Sequence, residues 1–358
     1  MDRTVYLIYG GDAAQMTSAL LHAADIGSRI PGGAHVALKP NLVVAKSACS
    51  GATTHAGVLE GLIEYLLENG IKDISVIEGS WLGESTAKAL KAAGYDEVLK
   101  KYGVPFYDLK RDKTEKVNTA AGEISVCQKA LNADYLINLP VLKGHCQTVM
   151  TCALKNLKGC VPDYEKRRFH EMGLHRPIAA LAAALKPALT IVDSICGDLN
   201  FEEGGTPVHT NRMLLGFDPV QIDSYCCKLM GISPGSVNYI ALAEGFGAGS
   251  SAVSDEDIVS LNAPEASETY SGQGTIVTRL TRSVYAKGAC SACFGNLVHA
   301  LYRMELKGMP YNEPVAIGQG WKGCAFEGTG VGECCSLAKR SIKGCPPSAE
   351  EIMKALHP

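Results

Sequence analysis

Short apolar runs alternate with amphipathic stretches along the first two-thirds of the chain. The segment TTHAGVLEGLIEYLLENG, residues 53–70, spaces its apolar positions three and four apart and ends in glycine, which predicts a helix capped by Thr53 or Thr54. Four short apolar runs are typical of buried strands: HVALKPNLV, DISVIEGS, VPFYDL and ADYLINLPVL. Strands that alternate with helices predict parallel βαβ units. We therefore expect an α/β fold, with a two-part, doubly wound and mostly parallel sheet in Rossmann-like layers.

The same alternation continues through the middle of the chain. RPIAALAAALK predicts a helix, PALTIVDSICG a strand, and DPVQIDSYCCKLMG a helix capped by Asp218. After about Gly245, turn-like and glycine-rich sequence takes over. We expect an α/β body over residues 1–250 and a Cys- and Gly-rich C-terminal segment over residues 251–358, packed on that body.

Composition narrows the classes of function. The chain has 358 residues and a net charge of -3, and 6% of its residues are aromatic, which argues against a nucleic-acid partner. No stretch has the pattern of a signal peptide or of a transmembrane span. We expect a cytoplasmic protein without a membrane partner, and the oligomeric state stays open.

Polar side chains follow four of the predicted strands. These strand ends are Lys39-Pro40-Asn41, Glu78-Gly79-Ser80, Lys143-Gly144-His145, and Asp193 with the loop CGDLNFEEGGTP. Because ligands of parallel α/β sheets bind beyond the carboxyl ends of the strands, we expect these positions to converge in a doubly wound sheet.

The densest polar segment is LKGHCQTVMTCALKNLKGCVPDYEKRRFH, residues 142–170. Its lysines could bind an anion, a histidine could transfer a proton near neutral pH, and Thr148 or Thr151 could cap a short helix whose amides face the anion. A solvated basic loop is the alternative interpretation. The candidate catalytic residues are His145, Lys143 and Lys155, and the candidate substrate-binding residues are Lys39, Asn41, Thr148, Asn156 and Lys158.

Fourteen cysteines are many for a chain of this kind, and grouped thiols in a reducing compartment indicate metal binding or catalysis. Cys290 and Cys293 form a C-x-x-C pair, and Cys334 and Cys345 complete a set of four, with Cys335 and Cys324 as spare candidates. Four thiolates suit a [4Fe–4S] cluster or a tetrahedral zinc ion. The 40 residues between Cys293 and Cys334 favour the cluster, because structural zinc sites have compact spacings. Unligated thiols or a redox disulfide remain as alternatives.

Four segments occur along the chain in this order: LKPNLV, ADYLINLPVLKGHCQTVMTCALKNLKGCVP, KPALTIVDSICG and GFDPVQIDSYCCKLMGI. Together they resemble the DUF362 family, a domain of unknown function, over about residues 37–247. The resemblance implies an association with iron–sulfur clusters, since members are generally described in that way. Many members carry a ferredoxin-like segment with two C-x-x-C-x-x-C-x-x-x-C runs. This chain lacks that segment, so the resemblance implies a single cluster and supplies no substrate.

Three functions are therefore under consideration. The first is an iron–sulfur oxidoreductase that acts on a small anionic substrate and exchanges electrons with a redox partner protein. The second is a cluster-independent transferase or carbon-acid enzyme of the racemase or lyase type, whose cysteines are structural or hold zinc. The third is an electron-transfer module.

Overall fold

The computed structural model describes residues 2–199, 201–204, 206–264 and 275–357. They fall into two compact units, residues 1–167 with 175–273 and residues 168–174 with 274–358. Residues 258–260 form a strand that pairs with residues 5–7 in the sheet of the first unit.

The first unit combines a large sheet with helices and two small hairpins. Its strands are β1 (Val5–Tyr9), β2 (Val36–Pro40), β3 (Ile74–Glu78), β4 (Phe106–Asp108), β5 (Thr114–Thr119), β6 (Gly122–Cys127), β7 (Tyr135–Leu139), β8 (Lys143–His145), β9 (Val149–Thr151), β10 (Leu189–Asp198), β11 (Pro207–Gly216) and β12 (Ile258–Ser260). Its helices are α1 (Ala13–Ala23), α2 (Ile26–Arg29), α3 (Ala56–Glu68), α4 (Thr86–Ala92), α5 (Tyr95–Tyr102), α6 (Gln128–Leu131), α7 (Ala153–Asn156), α8 (Asp163–Met172), α9 (His175–Leu185), α10 (Pro219–Leu229) and α11 (Asn238–Gly245), of which α8 extends into the second unit.

The sheet has the strand order β12-β1-β11-β10-β7-β2-β3-β4. The neighbouring strands are parallel except where β11 pairs antiparallel with β1 and β10, so the mostly parallel α/β sheet expected from the sequence is confirmed. From β2 the chain proceeds to β3 and β4 on one side, and then to β7 and β10 on the other. The point where the order reverses lies between β2 and β7. Ligands of such sheets bind beyond the carboxyl ends of the strands at this point.

The local sequence of helix α3 fixes its position against the sheet. Its apolar positions Val58, Leu62 and Leu66 recur every four residues and are buried in the core of the first unit. The predicted caps were wrong, because the helix begins after His55. The hydroxyl of Thr54 instead donates to the Leu139 carbonyl (2.8 Å), so it ties the start of α3 to the end of β7.

The second unit is built on a four-stranded, wholly parallel sheet in chain order. Its elements are β13 (Val284–Ala286), β14 (Val315–Ile317), β15 (Phe326–Val331), β16 (Ala338–Ile342), α12 (Thr275–Leu280), α13 (Ser291–Leu306) and α14 (Ala349–Leu356). Leu297, Leu301 and Met304 from α13 pack with Val315 and Ile352 in a separate core. A glycine with positive φ follows each strand within two residues, which lets the chain turn away at once; these are Gly288, Gly318, Gly332 and Gly344.

None of the helices in the described part of the chain combines the length and the apolar character that crossing a lipid bilayer requires.

Candidate catalytic and cofactor sites

The predicted strand ends do converge, and Lys39 lies at the centre of the first group. Its ammonium donates to the Glu78 carboxylate at the end of β3, to the Pro40 carbonyl (2.8 Å) and to Asn156 Oδ1 (3.1 Å). These three acceptors engage all three of its donors. A Cβ at Gly159 would lie 2.5 Å from a Glu78 oxygen, so the backbone covers this pair closely. Lys39 is thus a fully buried tie between strands.

Lys143 forms the second tie. Its ammonium donates to Asn41 Oδ1 (3.1 Å), to the Ala52 carbonyl (2.5 Å) and to the Glu202 carbonyl (2.8 Å). Burial lowers the pKa of Lys143 to about 7. Asn41 in turn donates to Asn156 Oδ1 (2.9 Å), which also receives the bond from the first lysine. The network joins the loops that follow β2, β7 and β10, and it leaves no donor of either ammonium for a ligand.

His145 has both ring nitrogens engaged. Nδ1 accepts the backbone N–H groups of Gln147 (3.1 Å) and Thr148 (3.0 Å), so the ring proton lies on Nε2, which is 3.3 Å from Glu202 Oε1. Burial and the nearby Lys155 lower the pKa of His145 to about 4. The ring is therefore neutral at pH 7 and acts as a hydrogen-bond donor, with neither nitrogen open to accept a proton from a ligand.

The Glu202 carboxylate lies in a pocket lined by two lysines and the neutral ring of His145. Lys155 Nζ donates to its Oε2, and His145 faces its Oε1. Although burial acts in the opposite direction, Lys155, His145 and Lys158 together hold the pKa of Glu202 well below its ordinary value. Burial and the charge of Lys155 lower the pKa of Lys158 to about 7. We call the surroundings formed by His145, Lys155 and Lys158 the cationic pocket.

The expected helix cap differs from the structure. The hydroxyl of Thr148 donates to the Met150 carbonyl (3.1 Å) inside the β8–β9 hairpin, and the short helix α7 begins after Cys152. The acceptor at its first amides is an internal side chain, since the carboxyl group of Asp223 accepts from Ala153 N (2.7 Å) and Leu154 N (3.1 Å), and burial raises the pKa of Asp223 to about 7. Asp223 thus occupies the place at which a ligand was expected.

A histidine–aspartate pair lies beside this network. His55 Nδ1 is 2.8 Å from Asp193 Oδ2, and the backbone N–H of His55 donates to the same oxygen (2.7 Å). The Asp193 side chain is fully buried, whereas 20% of the His55 side chain is exposed. Burial acts to lower the pKa of His55, but the adjacent carboxylate outweighs it and raises that pKa above its ordinary value.

Sequence reasoning did not assign a role to His55, Glu78, Asn138 or Glu202. Asn138 is buried in β7 and accepts from Asn156 Nδ2 (2.8 Å). Because buried polar groups are hydrogen-bonded, the asparagine inside the apolar run YLINLP could have been predicted to take part in a polar network. Glu202 lay in the quoted loop CGDLNFEEGGTP. His55 had no signal of its own, because histidine at a helix start is common.

In the second unit, the predicted cysteines lie just beyond the ends of parallel strands. Cys290 follows β13, Cys334 follows β15 and Cys345 follows β16, while Cys293 lies in the first turn of α13. The segments that leave β15 and β16 are joined directly, since Glu333 N donates to the carbonyl of residue 344 (3.1 Å). Carboxyl ends of neighbouring parallel strands share one edge of a sheet, so these cysteines are brought to one place.

The four thiols are linked by electrostatic effects. The thiols of Cys290 and Cys293 are hydrogen-bonded. This bond, burial, and then charge on Cys345 and Cys334 raise the pKa of Cys293. Charge on Cys290 and Cys345 likewise acts on Cys334. Cys293 therefore interacts with each of the other three cysteines, and a Cβ at Gly332 would stand only 3.4 Å from the Cys293 sulfur.

The two spare cysteines have other surroundings. The Cys335 side chain is buried beneath the sheet, and a Cβ at Gly330 would lie 2.6 Å from its own Cβ. Its sulfur accepts hydrogen bonds from the backbone of Gly318 and Val331. Cys324 is exposed and lies 3.9 Å from the Lys322 carbonyl.

Within the described residues, no three His, Cys, Asp or Glu side chains are close enough together to hold a single metal ion. In a tetrahedral zinc site with Zn–S distances of about 2.3 Å, the sulfurs lie about 3.8 Å apart. In a cubane cluster each thiolate binds a different iron corner, so the sulfurs are farther apart. Four thiols at one sheet edge, with glycine backbone beside them, fit the donor chemistry of a cluster.

Comparison with known proteins places the chain in a family. The model of DUF362, described as a domain of unknown function, matches residues 36–228, more than half of the chain. The chain therefore belongs to the DUF362 family, as its sequence suggested. The matched range includes the two lysine ties, the cationic pocket and the histidine–aspartate pair.

Two individual similarities were found. The thylakoid-associated protein sll1697 of Synechocystis sp. (strain ATCC 27184 / PCC 6803 / Kazusa) is 26% identical over an alignment of 254 residues, which covers 66% of this chain and 76% of that protein. The lactate racemase apoprotein from Thermoanaerobacterium thermosaccharolyticum superposes with a TM-score of 0.44 and 13% identity, over 64% of this chain and 58% of that one. A likeness at this TM-score supports no inference about activity.

Proposed function

We propose that this protein is an iron–sulfur oxidoreductase that acts on a small anionic substrate. The observation that carries the proposal is the convergence of Cys290, Cys293, Cys334 and Cys345 at one edge of the parallel sheet in the second unit. Four thiols from three separate strand ends are the donor set that a [4Fe–4S] cluster requires. A bound cluster would supply one-electron chemistry.

The protein contributes the surroundings of such a cluster. Gly332 and Gly344 have φ values of 86° and 128°, so side-chain-free backbone lies next to the sulfurs. Backbone amides near a cluster tune its potential through hydrogen bonds to sulfur. One carboxylate oxygen of Glu333, Oε1, accepts from Gly344 N (3.0 Å), so it joins the segments that carry Cys334 and Cys345.

Metal analysis of anaerobically purified and reconstituted protein tests the cluster. We expect a brown protein that contains iron and inorganic sulfide and gives an electron paramagnetic resonance signal on reduction. Zinc without sulfide would instead support the cluster-independent enzyme. A colourless, metal-free protein after anaerobic reconstitution would refute the iron–sulfur assignment.

The anionic substrate is proposed from the cationic pocket of the first unit. The pocket already holds a carboxylate, that of Glu202, with Lys155 and His145 as its donors. Charge-assisted bonds of this kind bind a free carboxylate or phosphate equally well. We infer that a small anion displaces the Glu202 side chain, and that Lys155, Lys158 and neutral His145 then hold it.

Glu202→Gln is expected to tighten anion binding about tenfold, which corresponds to about 1.4 kcal/mol, because the competing carboxylate is removed. Isothermal titration with acetate and with inorganic phosphate measures the change. Glu203→Gln is the matched control, since it removes the same charge from the adjacent residue, which does not bond to Lys155 or His145 in the contacts above. Equal affinities of the two variants, or no binding to either, would exclude the anion site.

The second candidate, a cluster-independent enzyme that acts on a carbon acid, is favoured by the same pocket. The two candidates differ in their dependence on the cysteines. If Cys290→Ala with Cys293→Ala leaves turnover of the anionic substrate intact, the second candidate replaces the first.

A further inference from the structure

We propose that His55 and Asp193 form a proton-transfer pair, in which His55 Nε2 is the general base for the anionic substrate. The identity of the substrate as an anion rests on the proposed function. The pair itself rests on independent geometry.

The geometry fixes which nitrogen is reactive. Asp193 Oδ2 lies 2.8 Å from His55 Nδ1, and a fully buried carboxylate oxygen at this distance keeps the ring proton on Nδ1. The lone pair of the neutral ring is then on Nε2. In the part of the chain that the structure describes, Nε2 has no hydrogen-bond partner, and the side chain reaches the surface.

The Asp193 carboxylate is itself positioned by backbone hydrogen bonds. Asp193 Oδ2 also accepts from the backbone N–H of His55 (2.7 Å), and Oδ1 accepts from Ile195 N (3.1 Å). A β-bulge between residues 194 and 196 follows at once and bends the strand at this point. An oriented, buried acceptor of this kind positions a histidine and stabilises its cation.

The pair contrasts with the histidine that the sequence favoured. Both nitrogens of His145 are occupied, and the low pKa of that ring keeps it neutral. His55 has one nitrogen free and a raised pKa. Of these two histidines, only His55 has a nitrogen available to accept a proton.

The pair is linked to the cationic pocket through hydrogen bonds to neighbouring residues of the chain. The backbone carbonyl of Asp193 accepts from Leu142 N (2.9 Å), and Leu142 directly precedes Lys143. The ammonium of Lys143 binds the carbonyls of Ala52 and Glu202, so it joins the segment before His55 to the loop that fills the pocket.

The other titratable groups near Asp193 do not compete for the proton. Tyr95 of α5 and Cys196 of β10 both interact with this carboxylate, and burial raises the pKa of Tyr95 well above its ordinary value and that of Cys196 to about 11. Both are neutral where His55 titrates. Arg212 of β11 donates to Ser194 Oγ (3.3 Å), on the residue after Asp193.

The step is a simple proton transfer. The Nε2 lone pair takes the proton from an acidic C–H or O–H of the bound anion, and the bonding electron pair stays on the substrate atom. The imidazolium that forms is stabilised by Asp193. The proton then returns from Nε2 to the product or to water, so no oxidant or co-reactant is consumed.

Carbethoxylation by diethyl pyrocarbonate, followed by peptide mass spectrometry over a pH series, tests the pair in the full chain. We expect His55 to react as pH rises through its raised pKa, and His145 to remain protected in the same sample. Asp193→Asn should move the midpoint for His55 down by roughly one pH unit or more, because burial then acts alone. An unreactive His55, or an unchanged midpoint in Asp193→Asn, would overturn the pair.

Two further measurements keep the test decisive. Nitrogen-15 NMR of the wild-type ring should show the proton on Nδ1, and a proton on Nε2 would refute the assignment even if Asp193→Asn fails to fold. Acetate should slow carbethoxylation of His55, and Lys155→Ala should abolish that protection. If acetate binds without protecting His55, His55 is not the base for this anion. If acetate does not bind, the proposed substrate site is refuted, and the His55–Asp193 pair is then tested by the pH midpoint of His55 carbethoxylation alone.

Discussion

Cys334→Ser is expected to lose the proposed cluster, whereas Cys335→Ser is expected to keep it. The two residues are adjacent, but the Cys334 thiol interacts with Cys290 and Cys345, and Cys335 is buried on the other side of the chain. A serine hydroxyl is a poor substitute for a thiolate ligand to iron. Iron, sulfide and the visible absorption of anaerobically reconstituted protein measure the difference.

Cys335→Ser, the substitution of the neighbouring cysteine, is the control for losses caused by purification or by oxidation of the protein. Cys335→Ser places a polar hydroxyl where a thiol packs against Gly330, so we expect a loss of about 1–2 kcal/mol in unfolding free energy without loss of iron. A variant set in which Cys335→Ser loses iron and Cys334→Ser retains it would reverse the ligand assignment. Equal retention in both variants would remove the residue at position 334 from the ligand set.

Lys39→Met is expected to destabilise the first unit by about 3–5 kcal/mol, the usual cost of removing one partner of a buried ion pair. The Glu78 carboxylate would stay buried without its cation, and Pro40 and Asn156 would each lose a donor. Urea unfolding followed by circular dichroism gives the change in free energy.

A surface pair provides the matched control. Lys116 and Glu123 are 2.7 Å apart on the β5–β6 hairpin, with side chains 71% and 51% exposed. Lys116→Met should therefore leave stability unchanged within error. The double variant Lys39→Met with Glu78→Met should recover part of the loss, because it removes the orphaned charge. A loss from Lys39→Met no larger than that from Lys116→Met would show that the buried pair does not stabilise the fold.

The alternation of apolar runs and amphipathic helices was enough to predict the parallel α/β sheet. Periodicity reports burial, and β2, β3 and β7 are buried over their whole length, as expected for central parallel strands. The antiparallel strand β11 was not predicted, because pairing direction depends on distant partners and leaves no local pattern.

The side chains at the strand ends were only partly predictable. That Lys39, Asn41 and Lys143 would meet followed from the rule for parallel sheets. Their saturation by carbonyl and amide acceptors could not be foreseen, because it depends on backbone positions in other loops such as Ala52. A sequence shows that a lysine is present, but not how many of its donors are already engaged.

The cysteine set was only partly predictable from spacing along the chain. C-x-x-C spacing drew attention to Cys290 and Cys293, yet the structure relates the remaining members through strand ends and not through spacing. Cys334 and Cys345 each stand three residues beyond a strand. The burial of Cys335 could not be predicted from its place beside Cys334, because it depends on which side of the chain faces the core.

The position of β11 also affects how the chain is synthesised. Tyr6 of β1 pairs with Leu215, and the other partner of β1, the strand β12, comes later still. Among the described strands, β1 therefore has no partner until most of the first unit has left the ribosome, which takes roughly 10–40 s at about 5–20 residues per second. During translation its hydrogen-bonding edges stay unpaired and available to other chains or to a chaperone.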